Sequence, residues 1–123
     1  MSPSERPDRK PLSPRQVEQV ADVMFALSTA SRVAILDQLR LGPATVSGLM
    51  EATGMEQSAV SHQLRVLREH RLVRASRDGR RRVYELYDDH VALLFDEAIR
   101  HITDTSGASK ARRGAARLRR GAR

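Results

Sequence analysis

Residues 57–70 (QSAVSHQLRVLREH) and residues 72–87 (LVRASRDGRRRVYELY) decide the fold of this 123-residue chain. In the first stretch, apolar residues recur at intervals of three and four, which predicts a helix whose inward side carries Val60, Leu64, Val66 and Leu67. In the second stretch, the pair Asp78-Gly79 lies between two short segments with β-forming residues, a strong local signal for a hairpin. We therefore expect a helix that leads directly into a hairpin.

Two helices are predicted at the start of the chain. Ser13 is a suitable N-cap, Pro14 fits the first helical position, and Gln16 completes a capping box. The apolar residues of this first helix predict one buried face, formed by Val17, Val20, Ala21, Met24, Phe25 and Leu27. The second helix covers about residues 30–41, and Gly42-Pro43 ends it.

A short third helix and a long last helix complete the pattern. The third helix is capped by Thr45 and ends at Gly54, just before residues 57–70. The last helix begins at Asp88 or Asp89 and carries apolar residues at helical spacing up to Ile102. A short helix, a turn with glycine, a longer helix and a basic hairpin are typical of a winged helix-turn-helix. The predicted fold is mainly α, with a small β-hairpin wing in the order helix, helix, helix, helix, hairpin, helix.

Polar and basic residues of this unit are candidate DNA contacts. The second helix of a helix-turn-helix enters the major groove and presents polar side chains from its N-terminal half, and arginines of helix and wing can contact phosphates. The candidates are Gln57, Ser58, Ser61, His62, Gln63, Arg65, Arg77, Arg80, Arg81 and Arg82. The alternative is that these residues are helix caps and a solvated basic face.

The distribution of charge predicts three parts of the chain. The net charge of +7 comes entirely from residues 107–123, which hold seven basic and no acidic residues and are expected to be a disordered basic tail. Residues 1–12 are expected to be a flexible arm, and residues 13–106 the folded domain. Inside that domain, residues 65–82 hold eight arginines against two acids, whereas residues 83–106 hold six acids against one arginine.

Several classes of protein are excluded or disfavoured by composition. The chain has no cysteine, so thiolate metal sites and a cysteine nucleophile are excluded. Its longest uncharged run, residues 41–50, is too short to span a bilayer. We expect a cytoplasmic, nucleoid-associated bacterial protein that has no membrane partner and is not an enzyme. A small metal-dependent hydrolase is disfavoured because no nucleophile or general base accompanies the histidines described next.

Two clusters of metal-ligand residues lie at opposite ends of the last helix. Asp88 and His90 form one cluster, and His101 and Asp104 form the other. The two histidines are eleven residues apart on one helix face, which separates them by about 16 Å, so they cannot bind one ion. Two antiparallel copies of the helix would bring the unlike ends together and form two sites suited to Zn, Co or Ni. The alternative is that these residues are capping acids and ordinary surface histidines.

Residues 16–104 resemble the ArsR/SmtB metal-sensing repressors. The resemblance rests on Ala30-Ser31-Arg32, on residues 57–64, on Gly79-Arg80 and Val83-Tyr84, and on the pattern of Asp88, His90, His101 and Asp104. It is most specific for the nickel- and cobalt-sensing branch. It implies a homodimer, formed through the terminal helices, that binds operator DNA without metal and is released when Ni, Co or Zn binds the last-helix site.

Three departures from the family pattern leave an alternative open. Asp104 stands where glutamate or histidine is usual, neither the arm nor the tail contains a histidine, and the third helix lacks the cysteines of arsenic and cadmium sensors. A dimeric regulator with a degenerate metal site, controlled by a partner protein and acting as a repressor or an activator, therefore competes with metal sensing. A non-specific nucleic-acid binder acting through its basic tail is a further alternative.

Overall fold

The structure, a computed structural model, describes residues 9–104 of the chain. The elements are α1 (Pro14–Ala26), α2 (Ala30–Arg40), α3 (Val46–Thr53), α4 (Gln57–Glu69), β1 (Val73–Asp78), β2 (Arg81–Leu86) and α5 (Asp89–Asp104). The order of four helices, one hairpin and a fifth helix confirms the predicted fold class. The expected basic tail, and residues 1–8 of the expected arm, lie outside the described residues.

Side-chain caps begin three of the helices at the predicted places. Ser13 and Gln16 form a reciprocal capping box, because the Ser13 hydroxyl accepts from the Gln16 amide at 3.2 Å and Gln16 Oε1 accepts from the Ser13 amide at 2.9 Å. Thr45 Oγ1 accepts from the Gly48 amide at the start of α3. At α5 the cap is Asp88 rather than Asp89, since Asp88 Oδ1 accepts from the Val91 amide at 3.2 Å.

The core is aliphatic except for Tyr84 and joins α2, α3 and α4 to the hairpin, with Ala26 of α1 and Val91 of α5 also buried in it. Its fully buried large side chains are Ile35, Leu36, Leu49, Val60, Leu64, Leu67 and Val73. Burial of one such side chain contributes about 1.5–3 kcal/mol to folding. Leu64 lies on the side of α4 that contacts this core, so the polar opposite side of α4 remains in solvent.

The hairpin is confirmed, but its turn lies one residue later than predicted. Asp78 pairs with Arg81, so Gly79 and Arg80, not Asp78 and Gly79, are the two central turn residues. Gly79 has a φ of 66°, while Arg80 is not in the positive-φ region, which is the pattern of a type II′ turn. The strands are antiparallel and form a two-stranded sheet.

The apolar face of α1 is not buried in the single chain, and this part of the prediction was wrong. Val17, Val20, Met24 and Phe25 are 53%, 43%, 53% and 71% exposed, and Ala26 is the buried residue of α1. The residues were correctly recognised as one face, but none of the described elements covers it. The physical reason lies in the packing: α2, α3 and α4 form most of the core with the hairpin, and α1 joins it only through Ala26, with Val23 and Leu27 packed against it.

Within residues 9–104, no single helix is long and apolar enough to cross a membrane. α1 and α2 reach that length and composition together, although they are bent by 86° relative to each other.

Candidate DNA-binding surface and metal-ligand residues

The turn between α3 and α4 fixes where α4 begins. Gly54 ends α3 in the left-handed conformation, with a φ of 75°, and its amide donates to the Met50 carbonyl at 2.8 Å. Thr53 Oγ1 accepts from the Met55 amide, which orders the next residue of the turn. The extended backbone of Glu56 then starts α4 at Gln57. The polar N-terminal half of α4 is thereby placed at the surface.

One side of α4 is polar and exposed. Val60, Leu64 and Leu67 are buried on the opposite side. The exposed candidates are Gln57, Ser58, Ser61, His62 and Arg65. The Arg65 guanidinium donates to His62 Nδ1 at 3.3 Å, so these two side chains are held together on the surface. Hydroxyl, amide and imidazole groups on one exposed helix side are able to bond the edges of bases.

Gln63 does not share the position of the other candidates. It is half-buried, and its Oε1 accepts a hydrogen bond of 3.0 Å from the Arg32 guanidinium of α2. Its amide oxygen is therefore engaged inside the protein, on the side of α4 that packs against α2. This position does not favour the predicted role of Gln63 in reading bases.

The wing presents its arginines on both strands and in the turn. Arg77 and Arg82 are direct cross-strand partners, Asp78 is opposite Arg81, and Arg80 lies in the turn; all are exposed. Two like charges directly opposite each other are unfavourable in the free protein, and an anion between them removes that cost. The Arg82 guanidinium lies 5.7 Å from the centre of the Tyr84 ring, a distance suited to a cation–π contact.

An open pocket lies between the wing and the start of α3. It has a volume of about 460 Å³ and is lined by Thr45, Val46, Ser47, Arg81 and Arg82. The neighbouring Arg74 is different, because it forms an ion pair of 2.8 Å with Glu85 across the hairpin. Within residues 9–104, by contrast, none of Arg77, Arg80, Arg81 and Arg82 forms an ion pair with an acid.

The first metal-ligand cluster is organised by the start of α5. Asp88 uses Oδ1 to cap the helix, and its Oδ2 lies 3.5 Å from His90 Nδ1. The His90 side chain is 92% exposed. A carboxylate oxygen and an imidazole are therefore already close to each other at the surface, with room for a further ligand from another molecule.

The second cluster lies at the other end of the same helix. His101 and Asp104 are exposed in the last turn of α5. Within residues 9–104, no group of three or more histidines, cysteines and acids comes together to hold a metal ion. A single chain therefore brings Asp88 to His90, but does not bring that pair to His101 and Asp104.

An apolar groove of about 320 Å³ runs between the terminal helices. Its lining comes from α1, α2 and α5 and from Leu27 after α1: Met24, Leu27, Val33, Val91, Leu94, Phe95, Ala98, Ile99 and Ile102. Ile102, at one end of it, is 65% exposed. The groove borders the core at Val91, Leu27 and Phe95 and lies along the helix that carries His90 and His101.

Comparison with known proteins agrees with this geometry. Residues 29–75 match the model of the arsR family of bacterial regulatory proteins. Over 91 residues, the chain is 60% identical to the HTH-type transcriptional regulator NmtR of Mycobacterium tuberculosis, covering 74% of this chain and 76% of that protein. The chain belongs to the ArsR family. It is a transcriptional regulator of the ArsR/SmtB type.

Solved structures of relatives have the same fold as this ArsR-family chain. The solution structure of apo-NmtR is 56% identical, with a TM-score of 0.65, and the match covers 83% of this chain and 85% of that one. The homodimeric winged helix-turn-helix domain Mb0332 of Mycobacterium bovis is 34% identical, with a TM-score of 0.67 and coverages of 79% and 92%. The antimony-specific transcriptional repressor AntR is 29% identical, with a TM-score of 0.74 and coverages of 87% and 96%. These relatives favour the main hypothesis over the partner-controlled alternative.

The sequence patterns did not identify one buried residue of this ArsR-family chain, Arg32, which links α1 to α4. Arg32 is 8% exposed, and its guanidinium donates to Ala26 O at 2.6 Å, to Phe25 O at 3.3 Å and to Gln63. A signal was present, because Arg32 precedes Ile35, Leu36 and Leu39 at the spacing of one helix face. A charged residue at the head of an apolar stripe could have indicated a buried hydrogen-bonding role.

Proposed function

We propose that two copies of this chain bind a two-fold operator in double-stranded DNA, and that a divalent metal ion held between the two α5 helices lowers that affinity. The exposed side of α4 supplies the contacts to base edges, through Gln57, Ser58, Ser61 and His62. Arg65 and the wing arginines Arg77, Arg80, Arg81 and Arg82 supply the contacts to phosphates.

The dimer is proposed from the apolar face of the terminal helices. Phe25 of α1 and Ile102 of α5 are 71% and 65% exposed, and the groove between these helices is lined by apolar residues. Contiguous exposed apolar surface of this kind marks an interaction site. The relative Mb0332 is described as a homodimer, which supports a second copy of this chain as the occupant.

The observation that carries the metal proposal is the division of the ligands along α5. Asp88 and His90 begin the helix, while His101 and Asp104 end it, and the apolar groove lies between the two ends. If two α5 helices pack antiparallel about a two-fold axis, the beginning of one helix meets the end of the other. Two identical sites then form, each completed by residues of both chains.

The residues present fit a borderline transition-metal ion. Two imidazoles and two carboxylates are ligands that Zn, Co and Ni accept, and Asp88 keeps Oδ2 beside His90 while Oδ1 caps the helix. A bound ion would supply cross-linking of the two chains, not chemistry on a substrate. Ligation by residues of both chains would hold the α5 pair in one arrangement, and DNA affinity changes if that arrangement differs from the DNA-binding one.

The test is a titration of fluorescent DNA from upstream of the gene for this protein, with chelator and then with Ni, Co or Zn. We expect specific binding in chelator, and a loss of affinity of at least about tenfold with one of the metals. The double substitution His90→Ala, His101→Ala should keep the chelator affinity and abolish the response to metal. Unchanged affinity across all three metals would contradict the metal part of the proposal.

A matched control is His70→Ala. His70 lies at the end of α4, where Nδ1 is 2.9 Å from the Val66 carbonyl, and it belongs to neither ligand cluster. This variant should retain the response to metal. If it loses the response as well, the effect of the double substitution does not report on the α5 site.

A further inference from the structure

Arg32 connects the end of α1 with the middle of α4. It lies in the first turn of α2 and is 8% exposed, although it carries a full positive charge. Its partners are the carbonyls of Phe25 and Ala26, which are the last residues of α1, and the amide oxygen of Gln63. One planar guanidinium thus binds three acceptors on two other helices, using its rigid set of donors.

The partners explain how the buried charge is tolerated. The carbonyls at the end of a helix carry partial negative charge, and those of the last turn lack N–H donors inside the helix. The Arg32 guanidinium donates to the Ala26 carbonyl and adds a bond to the Phe25 carbonyl, which also accepts from Ser28. Its third partner, Gln63, is a neutral amide, not a carboxylate. A neutral apolar residue at this position would leave those carbonyls without this donor, so the link depends on arginine.

The position of α1 makes this link important. α1 contributes Ala26 to the core, but its apolar face is exposed and lies outside the packing of α2, α3 and α4. The placement of α1 relative to α4 therefore depends strongly on its C-terminal end, where Arg32 binds. In the proposed dimer, α1 belongs to the interface between the two copies and α4 reads the DNA.

From this geometry we infer that the Arg32–Gln63 hydrogen bond sets the distance between the two α4 helices of the dimer, and so determines which spacing of operator half-sites the protein accepts. Arg32 and Gln63 are positioning residues. Gln63 lies between His62 and the buried Leu64, so its amide oxygen fixes the rotation of α4 about its own axis as well as its separation from α1. The inference rests on the proposed binding of a two-fold operator by a dimer.

The experiment measures a ratio of affinities. The full-length protein first selects its preferred duplex from a pool of random sequences. Affinities are then measured for that duplex and for versions with one base pair inserted or removed at the centre. One inserted base pair moves the half-sites apart and rotates them, so the wild-type protein should lose at least about tenfold in affinity. The variant Gln63→Met offers Arg32 no acceptor at this position. Its loss of affinity on insertion of one base pair should therefore be only about threefold or less.

Gln63→Glu and Gln19→Met distinguish positioning from mere stability. Glutamate restores an acceptor for Arg32, so Gln63→Glu should recover the wild-type ratio, even though its charge weakens binding to every duplex. Gln19 is an exposed residue of α1, and Gln19→Met makes the same chemical change away from Arg32. That variant should keep the wild-type ratio.

The outcomes separate the two proposals. If the pool yields no preferred duplex, the proposed operator binding fails. If a duplex is selected but Gln63→Met keeps the wild-type ratio, the positioning role of Arg32 and Gln63 is overturned. If Gln63→Met does not fold, the smaller Gln63→Ala takes its place; an unfolded Gln63→Ala would also overturn the inference, because the bond would then be a folding contact.

Discussion

Ala44 and Tyr84 exchange two backbone hydrogen bonds, of 2.9 Å from the Ala44 amide and 2.8 Å from the Tyr84 amide. The loop before α3 is thereby joined directly to β2 of the wing. Tyr84 is 7% exposed, and its ring lies below the Arg82 guanidinium. The start of the helix-turn-helix is consequently bonded to the wing, and the position of Arg82 depends on the packing of Tyr84.

Tyr84→Ala should destabilise the domain by about 3 kcal/mol, because it removes a large aromatic side chain from the core. It should also weaken DNA binding, since Arg82 loses the ring on which it rests. Tyr84→Phe keeps the ring and should remain within about 1 kcal/mol of the wild-type protein. Urea denaturation measures both values. Equal damage from the two substitutions would show that the hydroxyl group, not the ring, supports the wing.

Asp88 is expected to have two separable roles. Asparagine is a good N-cap but brings no negative charge, so Asp88→Asn should leave stability nearly unchanged while metal affinity falls at least about tenfold. Asp88→Ala removes the cap as well and should cost about 1 kcal/mol of stability. Urea denaturation and calorimetric titration with Ni separate the two effects. Full metal affinity in Asp88→Asn would remove Asp88 from the ligand set.

Arg82→Ala should lower DNA affinity equally for all sequences. Each lost phosphate contact reduces the slope of log affinity against log salt by about 1, so this variant should show that reduction. Arg40→Ala is the control, because Arg40 is paired with Asp37 at 2.7 Å on α2. Fluorescence anisotropy over a range of salt concentrations provides the slopes. A wild-type slope in Arg82→Ala would place Arg82 away from the DNA.

Ile102→Glu should dissociate the dimer. Ile102 is 65% exposed in the single chain and lines the apolar groove, so a charge there would be buried without a partner only in the dimer. Leu93→Glu is the matched control: Leu93 is 60% exposed, but lies nine residues away, about two and a half turns, and therefore on the opposite side of α5. Light scattering after size-exclusion chromatography gives the masses. If the Ile102→Glu variant remains dimeric, the dimer interface does not include Ile102.

The helices and their caps could be predicted because their causes are local. Ser13 and Gln16, or Thr45 and Gly48, interact across three residues, so their pattern is visible in the sequence. The hairpin was predicted for the same reason. The predicted turn was misplaced by one residue because, in an Asp-Gly pair, glycine can be either the first or the second central residue of the turn. The observed pairing of Asp78 with Arg81 makes Gly79 the first central residue.

The candidate site could be predicted in part. The sequence correctly identifies an exposed polar side of α4 and an arginine-rich wing, because burial of Val60, Leu64 and Leu67 determines the opposite side by periodicity. The DNA and metal roles of the named residues remain predictions. Periodicity could not distinguish an apolar face that its own chain buries from one that its own chain leaves exposed, which is why the face of α1 was misjudged.

By itself, the sequence determined the order of elements, the caps of α1, α3 and α5, and the placing of the two histidine–aspartate pairs at the ends of α5, since each depends on neighbours within a few turns of chain. The tertiary structure alone decided that Gln63 points to Arg32, 31 residues away, and that Tyr84 is bonded to Ala44. These contacts join residues that are distant in the chain. Their formation depends on how the helices pack around the aliphatic core, and no local preference encodes that packing.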